Sequence, residues 1–332
     1  MNISMEAHFD ARLRGLASPL PRIAFQSKEQ IEEQVRKSQP AIFTNALERW
    51  PARRKWNPDY FRTRWRNRPV RAHETTWEGR APYLATMSEH SVRKKVAEYL
   101  DAAHSDVAYS LYLHQADASS TFPGSEQDLD YLSLVEPHPE APPLRPNVWM
   151  GTPGTRSGLH FDPADNLIAM FHGSKAFMLV GPECPDRVYP IRANPTKSPV
   201  DPASMDWKQY PRVRKARLHI DVLRQGEILC LPRGWWHYLV ALELTINATC
   251  WFTWQGHQVS KRQLLPFLDL PYLMRCGASY PLHFLFQFLW HGALGRPYYQ
   301  HALSPPPPGV MLWTYYRQRR NAPPGASNHR AK

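Results

Sequence analysis

From Asn147 to Phe252 the chain is a succession of short apolar runs, NVWMG, LHFD, NLIAMF, KAFMLVGP, GEILCLP, HYLVAL and LTINATCWF, separated by Gly and Pro turns. Runs of roughly four to eight residues between turn signals are strand-sized. Many short strands at this spacing close into a barrel or a sandwich. Composition agrees, because Pro outnumbers Gly 33 to 16, an excess that suits stiff loops between strands and disfavours a helical bundle. With 332 residues, 42% of them hydrophobic, the chain can bury a sizeable core, and a disordered, collagen-like or coiled-coil protein is excluded.

Helical signals flank the strand region. Ser27 followed by Gln30 is a capping-box pattern, with Ile31 and Val35 at helical spacing, so a helix is expected over 28–38 with Pro40 behind it. Ala41–Thr44 reads as a strand, and Trp50, Trp56, Tyr60, Phe61 and Trp65 as aromatic helical turns packing on a core rather than a ligand cage. A second helix is expected over Ser88–Leu100, then a strand over Tyr109–His114. The stretch Tyr189–Ala216 is too long for a plain hairpin and is expected to be a functional flap. After Phe252 the pattern turns helical through Leu282–Trp290, SPPPP at 304–308 stops it, and a basic tail follows. The expected division is 1–108 as a buttressing region, 109–255 as the catalytic core, 256–316 as a C-terminal helical region and 317–332 as the tail.

The four cysteines, Cys184, Cys230, Cys250 and Cys276, form no CxxC, so neither a zinc ribbon nor a disulfide framework is signalled. The start carries acids where an export signal needs an apolar run, and Tyr280–Leu294 is interrupted by His283, Gln287 and His291, so a cytoplasmic protein with no membrane span is expected. Net charge is +12, concentrated in 49–71, which holds nine Arg/Lys against Asp59, in 211–217, and in the tail. Such clustering favours acidic or polyanionic partners. No stacking platform or RNA-binding motif accompanies it, which points to an anionic polypeptide before a nucleic acid.

His-x-Asp occurs at His8/Asp10, His160/Asp162 and His219/Asp221. A strand places residues i and i+2 on one face, so each pair could aim an imidazole and a carboxylate into one space. His8 sits in what reads as a frayed terminus, and His219/Asp221 reads as the polar face of a strand entering the Gln225–Glu227 turn. His160 differs by its company: a strand hairpin follows directly, and His237 arrives later in LPRGWWHYLV. Two ligands from one strand and a distal histidine brought in by barrel closure make a facial 2-His-1-carboxylate set, leaving positions open for a bidentate 2-oxo acid and O2. Holding the far carboxylate of such a co-substrate requires a buried cation and hydroxyl donors.

Across about 41–255 the chain resembles the JmjC-type, cupin-like Fe(II)/2-oxoglutarate-dependent oxygenases, and within them the branch of the asparaginyl hydroxylase that acts on hypoxia-inducible factor. SGLHFDPADNLIAMFHGSKAFMLVGP is similar to the family's metal and oxoglutarate hairpin, and GEILCLPRGWWHYL to its distal-histidine strand. The resemblance implies a mainly β protein with helical additions on a double-stranded β-helix (jelly-roll) core. It implies His160, Asp162 and His237 as iron ligands, with Lys175, Tyr112 and Ser157 binding 2-oxoglutarate and Asn166 beside it. Ser157 stands where the family has threonine and keeps a hydroxyl donor. On the last strand the closest relatives carry asparagine near the co-substrate, whereas this chain has Thr249, with Asn247 one pleat away.

The activity implied is O2- and 2-oxoglutarate-dependent hydroxylation of a protein or peptide side chain. A small metabolite, a modified RNA base or a methylated group is an alternative substrate. Two rivals come from other classes, a cupin-like binding module without turnover and a zinc or manganese isomerase. Intact His160, Asp162, Lys175 and His237 argue against the first, and Lys175 with Tyr112 has no purpose in the second. Leu282, Leu285, Phe286, Leu289 and Trp290 form a wide apolar face in the C-terminal region, from which a homodimer is expected.

Overall fold

Strand residues here alternate between two environments that both exclude water, and this alternation organises the molecule. The computed structural model describes residues 4–75, 91–105, 110–137, 144–162, 164–183, 185–191 and 196–252. The N-terminal part runs α1 (Ala11–Leu16), β1 (Arg22–Ala24), α2 (Lys28–Lys37), β2 (Ala41–Thr44), α3 (Pro51–Lys55), α4 (Pro58–Arg64), β3 (Pro69–Thr75), β4 (Ser91–Lys95), α5 (Val96–Ser105), β5 (Ser110–Asp117) and α6 (Ala118–Thr121). The strand-rich part follows with β6 (Asn147–Gly151), β7 (Arg156–Phe161), β8 (Asp165–His172), β9 (Lys175–Val180), β10 (Leu218–Leu223), β11 (Ile228–Leu231), β12 (Trp236–Ala241) and β13 (Thr245–Phe252).

Two sheets result, nine strands in the order β1-β2-β11-β8-β13-β6-β5-β3-β4 and four in the order β10-β9-β12-β7. The fold is mainly β and consistent with the jelly roll expected of the sequence. Ile168, Met170, Phe177, Leu179, Leu229, Leu231 and Leu239 form the apolar part of the space between the sheets. Their strand neighbours point outward. Leu167, Ala169, Phe171, Cys230, Ile246, Ala248 and Cys250 pack under the helices on the outer face of the large sheet. Ala176, Met178, Val180, Trp236, Tyr238 and Val240 pack on the outer face of the small sheet, under Phe9, Leu13, Val200 and Val213. Burial on both faces explains why β8, β9, β12 and β13 read as nearly continuous apolar runs.

The expected helix over 28–38 is α2, where Gln30 Oε1 accepts from the Ser27 N–H at 3.3 Å. The aromatic series is α3 and α4 with flanking residues. Trp56 meets Phe61 edge to face and Phe171 at a tilt, and Asp128 fixes the pair of helices by accepting from Trp56 Nε1, Tyr60 Oη and Lys55 Nζ. Trp235 and Trp236 are both 1% exposed and serve packing, as read from the sequence.

Three expectations change. The helix expected over Ser88–Leu100 begins only at Val96, and Ser91–Lys95 is a strand paired antiparallel with β3. Its Arg and Lys residues suit a sheet edge, where charge discourages pairing with another chain. The segment around His8 is not frayed, since Asp10 Oδ1 caps α1 by accepting from the Arg12 and Leu13 N–H groups and Phe9 is buried. The long insertion does not stand off as a flap in its described parts, 189–191 and 196–216, which pack on the small sheet through Tyr189, Val200 and Val213. The C-terminal helical region, its apolar dimer face and the basic tail lie outside the described residues. Among the described residues no helix is long and apolar enough to cross a membrane.

Candidate active site

His160 is the penultimate residue of β7, and β12 pairs with that strand so that His160 stands opposite His237. Opposite residues of an antiparallel pair share a face. Asp162, two residues on, completes a group whose ligating atoms lie within 4.8 Å of one another. The His160 and His237 rings are 4.1 Å apart, and Asp162 approaches their Nε2 atoms at 4.0 and 3.7 Å. Each imidazole is oriented by its other nitrogen: His160 Nδ1 meets the Gly158 carbonyl at 2.7 Å and His237 Nδ1 the Trp235 carbonyl at 3.0 Å. A proton held on Nδ1 leaves the Nε2 lone pairs facing Asp162. Burial, reinforced by His237, pushes His160 down to about 3, so it stays neutral. Two imidazoles and a carboxylate converging on one point suit a divalent first-row metal.

One residue of register makes the rest of the site possible. Between His237 and Leu239 the partner strand advances from His160 to Ser157, so β7 carries an extra residue, a bulge. Without it, Ser157 would face away from His160. With it, Leu159 enters the outer core while Ser157 turns inward and meets Tyr112 Oη at 3.2 Å. Tyr112 in turn lies under Lys175, whose Nζ is 5.3 Å from the ring centre. Lys175 is 3% exposed, donates to Asn247 Oδ1 at 2.7 Å, and is brought down to about 7 by burial. No carboxylate pairs with it among the described contacts, so an amine is buried without a counter-charge that an anionic ligand could supply.

Lys175, Tyr112, Ser157 and Asn247 are therefore brought together beside His160, Asp162 and His237. Asn166 is on the inner face of β8, 3% exposed, with its side-chain oxygen lacking a hydrogen-bond partner. Thr249 points inward but already accepts from Trp149 Nε1 at 2.8 Å. The other His-x-Asp pairs are engaged elsewhere: Asp10 caps α1, and Asp221 holds Arg22 at 2.9 Å while His219 meets Ser18.

Sequence reasoning missed several residues. Trp251 donates from Nε1 to Asp162 Oδ2 at 2.8 Å, fixing the carboxylate. Its inward alternation with Thr249 was readable, its partner was not. Arg233 and Asp165, 1% and 0% exposed, form a buried ion pair at 3.0 Å, and the Gly234 N–H donates to the Asp162 carbonyl at 2.9 Å, tying the turn before β12 to the start of β8. Apart from Arg71, which alternates with Val70 and Ala72 on β3 and so shares the inner face with His73, the basic segments sit behind the sheets. The 49–71 aromatics pack on the outer face of the large sheet, and Val213, between Arg212 and Arg214, packs on the outer face of the small one.

Residues 26–257 match the family described as "Cupin-like domain". The chain belongs to this family. Curated relatives include "Lysine-specific demethylase 8" of Xenopus tropicalis, 27% identical over 64% of this chain and 48% of its own length. "Jumonji C domain-containing protein 5" of Drosophila melanogaster is 27% identical over 64% and 54%, and "HSPB1-associated protein 1" of Homo sapiens 27% over 64% and 47%. The chain thus spans about half the length of these cupin-like relatives.

Proposed function

We propose that this chain is an Fe(II)/2-oxoglutarate-dependent oxygenase that hydroxylates a polypeptide side chain. One observation carries the reading: a 2-His-1-carboxylate set stands beside a buried, acid-free lysine framed by hydroxyl groups. An isomerase or a plain binding module needs no such cation. In this reading His160, Asp162 and His237 hold the iron, and Trp251 keeps Asp162 turned toward it. Lys175 neutralises the far carboxylate of 2-oxoglutarate, Tyr112 and Ser157 donate hydroxyl protons to it, and Asn247 holds the ammonium in place. Asn166 offers its unpaired amide oxygen at the same cavity, and Thr249 acts through Trp149. Bound iron and co-substrate would supply an oxidant from O2, giving succinate and carbon dioxide and leaving one oxygen atom in a substrate C–H bond. The protein's own work is to position the reactants and exclude water.

The test is anaerobic addition of Fe(II) and then 2-oxoglutarate, watching for the weak visible charge-transfer band. The band is expected in the parent protein and in His219→Ala, and is expected to vanish in His160→Ala and Asp162→Ala. Its absence from the parent, or its survival in His160→Ala, overturns the proposal.

Two finer points belong to the same reading. Relatives named as lysine-specific demethylases favour asking whether an N-methyl carbon is hydroxylated, in which case formaldehyde is released with succinate. The likeness to the asparaginyl hydroxylase branch, which rests on the motifs quoted from the sequence, gives succinate without formaldehyde. A cytoplasmic homodimer joined through the C-terminal helices completes the proposal, and a monomer by light scattering removes that part alone.

A further inference from the structure

The nine strands of the large sheet reach past the four of the small one. At the edge of the small sheet β7 stands over β5, where Ser157 Oγ meets Tyr112 Oη at 3.2 Å, and β3 and β4 continue the large sheet beyond β5. Their outer face is covered: Val70 and Ala72 are buried under the helices, and Val92, opposite Ala72, packs with them. The alternate residues share the inner face. These are Arg71 and His73 on β3 and, on β4, Arg93 opposite Arg71 and Ser91 opposite His73.

Aromatic rings join this projecting face to the metal-ligand group. The His73 ring lies 4.4 Å from His114, His114 5.9 Å from Trp149, and Trp149 6.4 Å from Trp251, which donates to Asp162. Each ring pair bridges neighbouring strands, β3, β5, β6 and β13 in order. At about 4.8 Å per strand, Arg71 stands roughly 14 Å and Arg93 roughly 19 Å along the sheet from Trp251. An extended peptide advances about 3.3 Å per residue, so about four to six residues span that stretch.

The arginine pair destabilises the sheet that carries it, because like charges directly opposite on neighbouring strands repel. Charge on an outermost strand guards against pairing with another chain, which accounts for Arg93 on β4 and not for Arg71, one strand further in. Lys95, next along the same face, has Glu98 at 4.0 Å, whereas no carboxylate pairs with Arg71 or Arg93 among the described residues. Both arginines are exposed. Two guanidinium forks side by side match carboxylates in geometry as well as charge. Between them and the metal ligands, His114 Nε2 is buried without a hydrogen-bond partner and offers one bond to a passing peptide group. The rings meet at 34° to 62°, a stepped wall for side chains rather than parallel slots for bases. We propose that Arg71 and Arg93 form an exosite for acidic residues of the polypeptide substrate, about four to six residues along the chain from the residue that reacts. The proposal rests on the oxygenase reading and names the substrate class for it. The aromatic wall carries the intervening residues.

Fluorescence anisotropy with the full chain at physiological salt, without metal, tests the exosite. The probes are a capped, labelled peptide Glu-Glu-Gly-Gly-Ser-Gly-Ala, its Gln-Gln counterpart and a labelled single-stranded RNA oligonucleotide. The glutamate peptide is expected to bind the tightest of the three. Arg71→Gln and Arg93→Gln are each expected to weaken it about fivefold and the double variant more than about tenfold, with Arg214→Gln, behind the small sheet, within about twofold of the parent. Equal binding of the glutamine peptide, undiminished binding in the double variant, or tighter binding of the oligonucleotide overturns the proposal. Position is read separately with Mn(II) and 2-oxoglutarate, which do not turn over, from paramagnetic broadening of the alanine methyl. Broadening is expected to be at least about tenfold stronger than in Glu-Glu-Ala-Gly-Ser-Gly-Gly, whose alanine is held roughly 14 Å or more from the metal, since the effect falls as the sixth power of distance. Equal broadening in the two peptides overturns the proposal and leaves the oxygenase reading standing. Failure of the parent protein to bind Mn(II) and 2-oxoglutarate overturns the oxygenase reading, while the anisotropy still decides whether the arginines hold acidic peptides.

Discussion

Lys175 shows how much a single buried group can dictate. Its ammonium titrates near 7 against an ordinary 10.5, because burial penalises the charged form. Between those values the unfolded chain holds a proton that the native protein has released, so this residue makes the ligand-free protein gain stability as pH rises from 7 to 10.5. A bound dicarboxylate restores the charge. Binding of 2-oxoglutarate at pH 8 is therefore expected to take up a proton and to weaken as pH rises above 7, measurable by calorimetry in buffers of different ionisation enthalpy. Lys175→Met should bind weakly with a flat profile, and binding of the parent without proton uptake would contradict this. Trp251 acts one bond away from the ligands. Trp251→Phe keeps the packing and frees Asp162 Oδ2, so metal affinity should drop by roughly 10-fold or more while the melting temperature changes little.

Among elements, the β8–β9 hairpin is the most tightly specified. Gly173 has φ +72°, and a Cβ there would lie 2.3 Å from the Leu244 carbonyl oxygen. Gly173→Ala is expected to destabilise the protein by about 1–3 kcal/mol, seen as a lower denaturation midpoint, because the left-handed backbone and the contact both resist a side chain. The hairpin was legible from NLIAMF-HGS-KAFMLV, and so were the strands that carry His160, Asp162, Lys175 and His237, since apolar runs and turn residues are local signals. What was not legible depends on register between distant segments. The bulge in β7 that turns Ser157 inward and the Trp251 bond to Asp162 each join residues whose spacing carries no periodic mark. The β4 strand was misread because Arg and Lys are indifferent to helix or edge strand until a partner strand decides.

At the scale of the whole molecule, charge and chemistry are set apart. Apart from Arg71 on the inner face of β3, the 49–71 and 211–217 cations lie behind the two sheets, and several are already paired, Lys55 with Asp128 and Arg62 with Asp101. They can steer an anionic substrate through the solvent but cannot touch it at the metal centre. Charge reversal at Arg214 and Lys215 should thus raise KM for an acidic peptide at low salt, with the effect fading at physiological salt. The same two-sided construction governs how the protein ages. Cys230 and Cys250 hang from the outer faces of β11 and β13, their thiols pushed up by burial, while Trp251, Trp149 and Tyr112 line the inner face. Were the proposed oxygenase to consume O2 without substrate, escaping oxidant would meet indole and phenol first and the sulfurs last, each sheet standing as a wall between the furnace and its most oxidisable atoms. Peptide mass mapping after prolonged idling should find added oxygen on Trp251 or Trp149 with Cys230 and Cys250 still reduced.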